Sequence, residues 1–453
     1  LDSVTIARSR KHIEQYYDTT DIGKFPTRLT PIARRPHLTD LDSAINYNDI
    51  YMLLSVLNLA IYTPSDFILP SRLSKYVNIT SEEDYSGLTM KGRERGIRKL
   101  MSINLLKRLE SSVNSFRLSL NRILGFISAT VEKINSLDTG HGTTRTTIDE
   151  YDFSSGLDLD EQEDIFIGGK KTQIALEDMD YIGWKKYLDK DIETLKLLLL
   201  MLADITPEHD SKLLQLIDDL RYKFANPING NNKKVIIFTA FADTADYLYE
   251  HVSKYVKKSF GLNTAMVSGT VEGKTTAKNL RGDLNTILTC FSPISKDKHL
   301  LMPNDNTSID VLIATDCISE GQNLQDCDYL INYDIHWNPV RIIQRFGRVD
   351  RIGSRNSVIQ LVNYWPNVTL DEYIDLKGRV EARMKVSVMT STGDDNPISP
   401  EEKGDLEYRR EQLKRLQSEV VDIEEMNTGI SIMDLGLNEF RMDLLAYLKE
   451  HPD

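Results

Sequence analysis

The sequence predicts an α/β fold in which a parallel sheet with helices on both faces is preceded by a mostly helical region. Before residue 226, apolar residues recur at the three- and four-residue spacing of amphipathic helices. After residue 233, short continuous apolar runs alternate with helical segments, which is typical of a parallel sheet buried on both faces. The runs span residues 235–239, 265–268, 311–315, 329–333 and 358–364.

The region 38–137 is predicted to be a helical protrusion. From residue 104 onward one face of the pattern stays apolar, which predicts a single long amphipathic helix. The apolar positions are Leu105, Leu109, Val113, Phe116, Leu120, Ile123 and Ile127. The other face carries Lys107, Arg108, Arg117 and Arg122. Helical periodicity returns over 176–224, within a region 171–230 that leads into the sheet.

Changes in composition predict the remaining boundaries. The segment 1–37 is short and basic, whereas 138–170 loses the helical pattern and contains the acidic stretch GLDLDEQED. We expect that second segment to be a mobile linker or surface insertion. The Asn-, Gly- and Pro-rich stretch at 226–233 marks the start of the α/β lobe, assigned to 231–390. A charged helical tail is expected over 391–453.

Composition narrows the class of protein. The chain has 453 residues and a net charge of −13, which argues against a small, generally basic nucleic-acid binder. A motor whose basic residues line one cleft is still compatible with that charge. No apolar run reaches the length of a membrane-spanning helix, and the three cysteines form no CxxC pair. We therefore expect a cytoplasmic protein without a disulfide framework or a metal site, and, since residue 1 is not Met, one that begins within a longer chain.

An arginine-rich run, RIIQRFGRVDRIGSR, occupies residues 341–355. If the run is helical, its polar side chains share one broad face. They are Arg341, Gln344, Arg345, Arg348 and Arg351. Asp350 is the acid within the run, so we expect an external anion, and the planar fork of arginine suits phosphate oxygens. The alternative is a solvated basic helix, but Gly347 and Gly353 disfavour it because glycine weakens an exposed helix.

Polar residues also follow two of the predicted strands. Thr315 and Asp316 come directly after one strand, and a polar loop at 319–323 follows them. Asp334 ends the next strand. Ligands of open parallel sheets bind at the carboxyl ends of strands, so these residues and the arginine-rich run predict a single site. Ordinary loop capping by Ser, Asp and Asn is the alternative.

At these residues the sequence resembles superfamily-two helicases. ATDCISEGQNLQ (314–325) resembles their motif V, and QRFGRVDR (344–351) matches the motif VI pattern Q-x-x-G-R-x-x-R. VIIFTAF (235–241) is similar to motif IV, and MVSGT (266–270) to the short motif that follows it. The stretch 333–354, with its Trp-Asn-Pro and Arg-Ile-Gly, is most similar to the Swi/Snf-like branch, which includes bacterial RapA-like helicases and translocases. The resemblance implies a RecA-like lobe.

The resemblance also implies roles for individual residues. Arg348 and Arg351 match the arginines that reach the γ-phosphate of ATP bound by a first motor lobe. Positions near the nucleotide are Gln344, Glu320, Gly321 and Asn323. Positions matching nucleic-acid contacts are Thr239, Ser268, Gly269, Thr270, Thr315 and Asp316. ATP and Mg²⁺ would be bound mainly by the first lobe, which this chain is expected to lack, and residues 1–37 resemble its end and the connector that follows.

One stretch imitates a phosphate-binding loop. GTVEGKTT at 269–276 has three residues between its glycines, whereas the Walker pattern G-x-x-x-x-G-K-[ST] needs four. We do not expect it to bind phosphate in that way, and we expect the chain alone to hydrolyse ATP negligibly.

The resemblance favours the C-terminal portion of an ATP-dependent translocase or helicase that acts on DNA, and double-stranded DNA is its expected partner. One alternative is a non-catalytic helicase-like module that binds nucleic acid or protein, and the other is an RNA helicase. The helical regions could bind a protein partner, and no membrane association is expected.

Overall fold

The computed structural model describes residues 23–41, 45–76, 90–138, 147–148, 174–269, 272–278, 280–318, 322–335 and 339–365. All of them lie within one compact unit, Glu14–Lys377. The predicted tail 391–453 and nearly all of the predicted linker 138–170 lie outside the described residues. Over the described part of the chain, no helix combines the length and the apolar character needed to cross a membrane.

The described residues form the predicted sheet, which is mostly parallel with one antiparallel edge strand. Its eight strands are β1 Thr27–Arg28, β2 Ile32–Arg34, β5 Val235–Phe238, β6 Thr264–Val267, β7 Lys274–Thr275, β8 Val311–Ala314, β9 Tyr329–Asn332 and β10 Val358–Tyr364. They lie in the order β1-β10-β9-β5-β8-β6-β7, and β2 continues the edge beside β10. Among the described strands of this sheet, β7 alone runs antiparallel to its neighbour. A separate antiparallel pair joins β3 Thr147–Ile148 to β4 Ile174–Ala175.

Helices cover both faces of the sheet, as the apolar runs predict. The helices are α1 Tyr47–Ser55, α2 Met90–Ser111, α3 Val113–Asp138, α4 Tyr181–Met201, α5 Ser211–Ala225, α6 Ala242–Phe260, α7 Leu284–Phe291, α8 Lys298–Leu301 and α9 Pro339–Phe346. Short 3₁₀ turns occupy Ala60–Tyr62, Pro64–Phe67, Pro70–Tyr76, Leu176–Asp178 and Asp316–Ile318. Successive side chains of the four-residue strands β5, β6, β8 and β9 point to opposite faces of the sheet. On one face they pack against α5 and α6, and on the other they pack against α7 and α9.

The long helix predicted beyond residue 104 is in fact two helices, α2 and α3, which meet at Ser112. The hydroxyl of Ser112 accepts a hydrogen bond from the backbone N–H of Ser115 at 3.0 Å, which is the contact of a helix N-cap. Periodicity did not reveal this break because the apolar spacing continues through it. Arg108, predicted for the polar face, is buried with 4% of its surface exposed.

The helical stretch 176–224 is also divided. It begins with a 3₁₀ turn, and α4 and α5 are separated by a loop containing Pro207. Asp210 caps α5, since its carboxylate accepts from the backbone N–H groups of Lys212 and Leu213 at 3.1 Å. The helical core is centred on the fully buried Trp184, whose indole N–H donates to the carbonyl of Ala60 at 2.9 Å.

Residues 27–34 supply two short edge strands that the sequence did not predict. Both pair in parallel with β10, and they are interrupted where Pro31 stands. Proline cannot donate to a strand ladder, so it suits the gap between two short pieces at a sheet edge. Residues 23–34, suggested by sequence as part of a connector, thus lie against the sheet, and 1–22 lie outside the described residues.

A buried ion pair anchors α5 beneath the sheet. Lys223 and Asp328 are both fully buried, and the Lys223 ammonium lies 2.7 Å from the carboxylate. Asn229 also donates to Asp328, at 2.8 Å. Burial raises the pKa of Asp328, while Lys223 opposes that rise. Each of the two charges therefore offsets the free-energy cost of burying the other.

We expect Lys223→Ala to lower the free energy of unfolding by about 3–5 kcal/mol, because it leaves the buried Asp328 carboxylate without its cation. Urea denaturation followed by circular dichroism would measure this loss. Lys254→Ala is the control, since Lys254 and Glu250 form an exposed pair on α6, and its expected cost is below about 1 kcal/mol. Equal effects of the two substitutions would contradict the prediction.

Candidate functional site

Four neighbouring parallel strands end at one edge of the sheet. Their registers place the last residues of β5, β6, β8 and β9 side by side. The residues that follow these strands include Thr239, Ser268, Thr315, Asp316 and Asp334. The carboxyl edge of the sheet therefore collects the polar residues that the sequence analysis assigned to one site, which is where open parallel sheets bind ligands.

Arg345 lies at the centre of this edge and is fully buried. Its Nε and Nη2 atoms both donate to the Asp316 carboxylate, each at 2.6 Å. Its Nη1 donates to the Asn332 side chain at 3.2 Å and to the Asp334 carbonyl at 2.9 Å. The guanidinium also lies over the Phe238 ring, 5.3 Å from its centroid. Arg345 therefore connects the ends of β5, β8 and β9 through contacts buried inside the protein.

The expectation that the arginines share one helical face was wrong. Helix α9 ends at Phe346, so Arg348 and Arg351 lie in the turns that follow it. Gly347 and Gly353 lie beyond the same helix end, and Gly353 adopts a φ of +76° that favours glycine. The structure thus separates Arg345, an internal clamp, from the arginines that follow.

Arg348 and Arg351 are half-buried and pack against the loop after β8. The Arg348 side chain donates to the carbonyls of Gln344 at 3.1 Å and Gln322 at 3.4 Å. Its own carbonyl accepts from the backbone N–H of Leu324 at 3.1 Å. The loop after β8 and the turns after α9 are therefore held together by one main-chain hydrogen bond and by the donation of the Arg348 side chain to the Gln322 carbonyl.

Arg351 is held by neutral groups. Its Nε donates to the Gly347 carbonyl at 3.2 Å, and its Nη1 donates to the amide oxygen of Asn323. Within the part of the chain that the structure describes, no carboxylate neutralises this half-buried guanidinium. A positive charge held by neutral acceptors can bind an anion without displacing an existing ion pair. This is the opposite of Arg345, whose charge Asp316 already balances.

Asp334 organises the same edge, and sequence reasoning noted it only as a strand end. One carboxylate oxygen accepts from the Thr239 hydroxyl and from the backbone N–H of Ala240, the latter at 2.9 Å. The same oxygen accepts from the Ser111 hydroxyl at 2.8 Å. Lys212 lies 3.3 Å from the second oxygen. No local pattern marks Asp334, because its partners come from three distant segments.

The helical region contacts the lobe at the corner between α2 and α3. Arg108 and Arg122 both bind the carboxylate of Asp243, at 2.9 and 3.1 Å. Burial would raise the pKa of Asp243, but the two arginines lower it below its usual value. Asp243 opens α6, the helix that follows β5. The corner therefore meets the lobe beside the strand ends that form the site.

The expected nucleic-acid positions differ in accessibility. Thr239 is fully buried, and Thr315 is 8% exposed. Asp316 is engaged by Arg345. Ser268 is half-buried, its hydroxyl oxygen is buried without a hydrogen-bond partner among the described groups, and Gly269 beside it is exposed. Three further expected residues, Thr270, Glu320 and Gly321, lie outside the described residues.

The GTVEGKTT stretch does not form a phosphate-binding loop in its described part. Lys274 and Thr275 form β7, which pairs antiparallel with β6. The Lys274 ammonium binds Asp246 on the surface. A phosphate-binding loop would instead lead directly from its strand into a helix.

Comparison with known proteins finds a family match over the part of the chain that carries the site. Residues 211–353 match the family described as "Helicase conserved C-terminal domain". The chain is 30% identical over 202 residues to the uncharacterized ATP-dependent helicase YqhH of Bacillus subtilis, covering 43% of this chain and 29% of that protein. It is 42% identical over 57 residues to the RNA polymerase-associated protein RapA of Pectobacterium atrosepticum, covering 13% of this chain and 6% of RapA.

The chain thus spans less than a third of the length of these relatives. Among solved structures, the C-terminal part of the Fun30 ATPase domain aligns with 78% of this chain and 89% of that chain, at 14% identity and a TM-score of 0.30. The family match and the relatives agree with the motifs at the carboxyl edge of the sheet. Residues 211–353 therefore match a helicase C-terminal domain, and the chain is similar in sequence to YqhH and RapA, in agreement with the resemblance carried by its motifs.

Proposed function

We propose that Arg348 and Arg351 act on the γ-phosphate of an ATP held by a first motor lobe of the same protein, in a motor that translocates along double-stranded DNA. The observation that carries this proposal is the contrast between two arginines of one motif. Arg345 is buried and neutralised by Asp316, whereas Arg351 is half-buried on neutral acceptors. A half-buried guanidinium whose charge is not yet neutralised can bind a phosphate that arrives from outside the lobe.

The residues around the arginines have supporting roles in this proposal. Asn323 orients Arg351, and the carbonyl of Gln344 orients Arg348. Glu320, Gly321 and Gln344 would complete the side of the nucleotide site that this lobe contributes. ATP bound with Mg²⁺, mainly by the first lobe, supplies a phosphoryl group that water can attack. Fixed guanidinium groups stabilise the charge that develops on that group as the bond breaks.

The nucleic acid would lie along the carboxyl edge of the sheet. Ser268 and Gly269 support this part of the proposal, because the backbone of Gly269 is exposed, and the buried Ser268 hydroxyl, which has no partner among the described groups, can donate to a phosphate once its side chain turns outward. Thr239, Thr315 and Asp316 would shape the edge from beneath, since their side chains are buried or already bonded. Thr270 would extend the same contact. The proposed substrate is duplex DNA, and the protein would move along it without separating its strands.

We expect Arg348→Ala and Arg351→Ala each to lower the nucleic-acid-stimulated kcat for ATP hydrolysis by about 10³-fold, because each removes charge stabilisation from the transition state. Steady-state phosphate release by the full-length protein would measure this. Lys274→Ala is the control, since Lys274 binds Asp246 on the surface, and it should leave kcat unchanged. Full activity of either arginine variant would exclude its proposed role.

We expect duplex DNA to stimulate hydrolysis more strongly than single-stranded DNA or RNA, with an apparent affinity that falls as salt rises. The same phosphate-release assay, run with each nucleic acid at equal nucleotide concentration, would measure the preference. Stimulation by RNA alone would instead identify an RNA helicase. Binding of nucleic acid with no turnover under any condition would identify a non-catalytic module.

We expect Ser268→Ala to weaken duplex binding by roughly tenfold to a hundredfold, because it removes one hydrogen bond to a charged phosphate, worth about 1.5–3 kcal/mol. The kcat at saturating DNA should stay within twofold, since Ser268 is not expected to touch ATP. Fluorescence anisotropy of a labelled duplex would measure the affinity. Ser136→Ala is the control, because that exposed hydroxyl donates to the Lys133 carbonyl on α3. Unchanged affinity for Ser268→Ala would remove this residue from the interface.

A further inference from the structure

The turns that carry Arg348 and Arg351 contact the first edge strand of the sheet. The Nε atom of Arg28 in β1 donates to the Asp350 carboxylate at 2.7 Å, and its Nη2 atom contacts the same oxygen. Asp350 stands between the two proposed ATP-contacting arginines. Its carboxylate is only 4% exposed, so the contact is protected from solvent. Charge-assisted hydrogen bonds that are shielded from solvent restrain the positions of their two side chains more firmly than exposed ion pairs do.

Arg28 also packs on the helix that leads into these turns. Its guanidinium lies over the ring of Phe346, 5.3 Å from the centroid. Phe346 is the last residue of α9, and its carbonyl accepts from the backbone N–H of Asp350 at 3.1 Å. One side chain of the edge strand therefore touches both the start and the middle of the segment that bears the arginines.

The backbone before β1 approaches the other end of the same segment. Gly23 adopts a φ of +85°, and a Cβ atom there would lie 2.8 Å from the Cα atom of Gly353. The backbone N–H of Gly353 donates to the Lys24 carbonyl at 3.3 Å. Such an approach of two backbones requires glycine on at least the Gly23 side. The segment 23–28 therefore lies along the turns from 346 to 353 and follows them closely.

We propose that Arg28 is a positioning residue for ATP hydrolysis, which holds Arg348 and Arg351 in place through Asp350. This inference rests on the proposed function of the arginine pair. In this proposal Arg28 acts through Asp350 and not directly on the nucleotide or the nucleic acid. It fixes the backbone between the two arginines, so that their guanidinium groups are already in position when the γ-phosphate arrives.

The expected size of the effect follows from how strictly such groups must be placed. A displacement of about 1 Å can cost on the order of 10²-fold in rate, even when the displaced group is still present. Removing Arg28 should therefore lower kcat by about tenfold to a hundredfold. The KM for ATP should change little, since the arginine pair acts mainly in the transition state.

Arg34 in β2 provides a matched control. Its Nη2 atom lies 2.6 Å from the Asp219 carboxylate, which is 3% exposed, close to the 4% of Asp350. The arginine side chains are also comparably exposed, 35% for Arg34 and 27% for Arg28. Asp219 lies on α5 and contacts Tyr364, not the turns after α9. Losing either pair should weaken the same sheet edge, but only one pair contacts the arginine-bearing segment.

The experiment compares Arg28→Ala and Arg34→Ala in the full-length protein, by amide hydrogen exchange over residues 346–353 and by duplex-stimulated ATP hydrolysis. We expect Arg28→Ala to speed exchange in that segment at least tenfold and to lower kcat by tenfold or more. Arg34→Ala should lose similar thermal stability, yet leave both quantities within about twofold. Arg28→Lys, which keeps the charge but not the two-atom contact, should give an intermediate kcat.

Unchanged exchange in Arg28→Ala, or faster exchange with an unchanged kcat, would overturn the inference. An equal loss of kcat in Arg34→Ala would also overturn it, because the effect would then reflect the sheet edge in general. If the wild-type protein shows no stimulated hydrolysis, the proposed function fails, and the positioning role fails with it. Faster exchange would in that case still confirm the contact itself, which keeps the two failures distinguishable.

Discussion

The burial of Arg345 is the constraint on which the site depends. A guanidinium with no exposed surface is tolerable only when its charge and its donors are satisfied, and Asp316, Asn332 and the Asp334 carbonyl do this together. These partners follow or end β8 and β9, so the side chain fixes how the two strand ends meet α9. Removing either charged partner would leave the other uncompensated in the interior.

Asp334 extends that arrangement into the helical region. Its carbonyl supports Arg345, while its carboxylate accepts from Ser111 and Thr239 and lies beside Lys212. The helical region thus contacts the sheet through hydrogen bonds that end at the strand carboxyl edge. A shift of the corner between α2 and α3 would therefore alter the support of the same residues that hold the loop after β8.

The arginines of the run differ because of their surroundings, not their chemistry. Arg345 is a structural clamp, whereas Arg351 contacts neutral acceptors and can bind an anion. Arg28, from the opposite end of the described chain, reaches the acid that lies between Arg348 and Arg351. The edge strand and the turns after α9 are 322 residues apart in sequence, which shows how strongly the parallel sheet brings distant segments together.

The sequence by itself determined five of the six described strands of the lobe to within one residue, the covering of both faces, and the motifs at the carboxyl edge. These features are local, since apolar runs, turn residues and motif spacing are written in consecutive positions. The break at Ser112, the edge strands at 27–34 and the edge strand β7 were not predicted. An N-cap inside an unbroken apolar period is a weak local signal, and edge strands of two or three residues have no period.

Only the tertiary structure decided which polar residues are internal and which can meet a ligand. Arg345, Arg348 and Arg351 are alike in sequence, and Thr239 and Ser268 both follow strands, yet their exposure and partners differ. Those differences depend on Asp316, Asp334 and Arg28, which reach the site from separate elements. Hydrogen-bond partners of buried groups are set by where the whole chain passes, and no stretch of neighbouring residues contains that information.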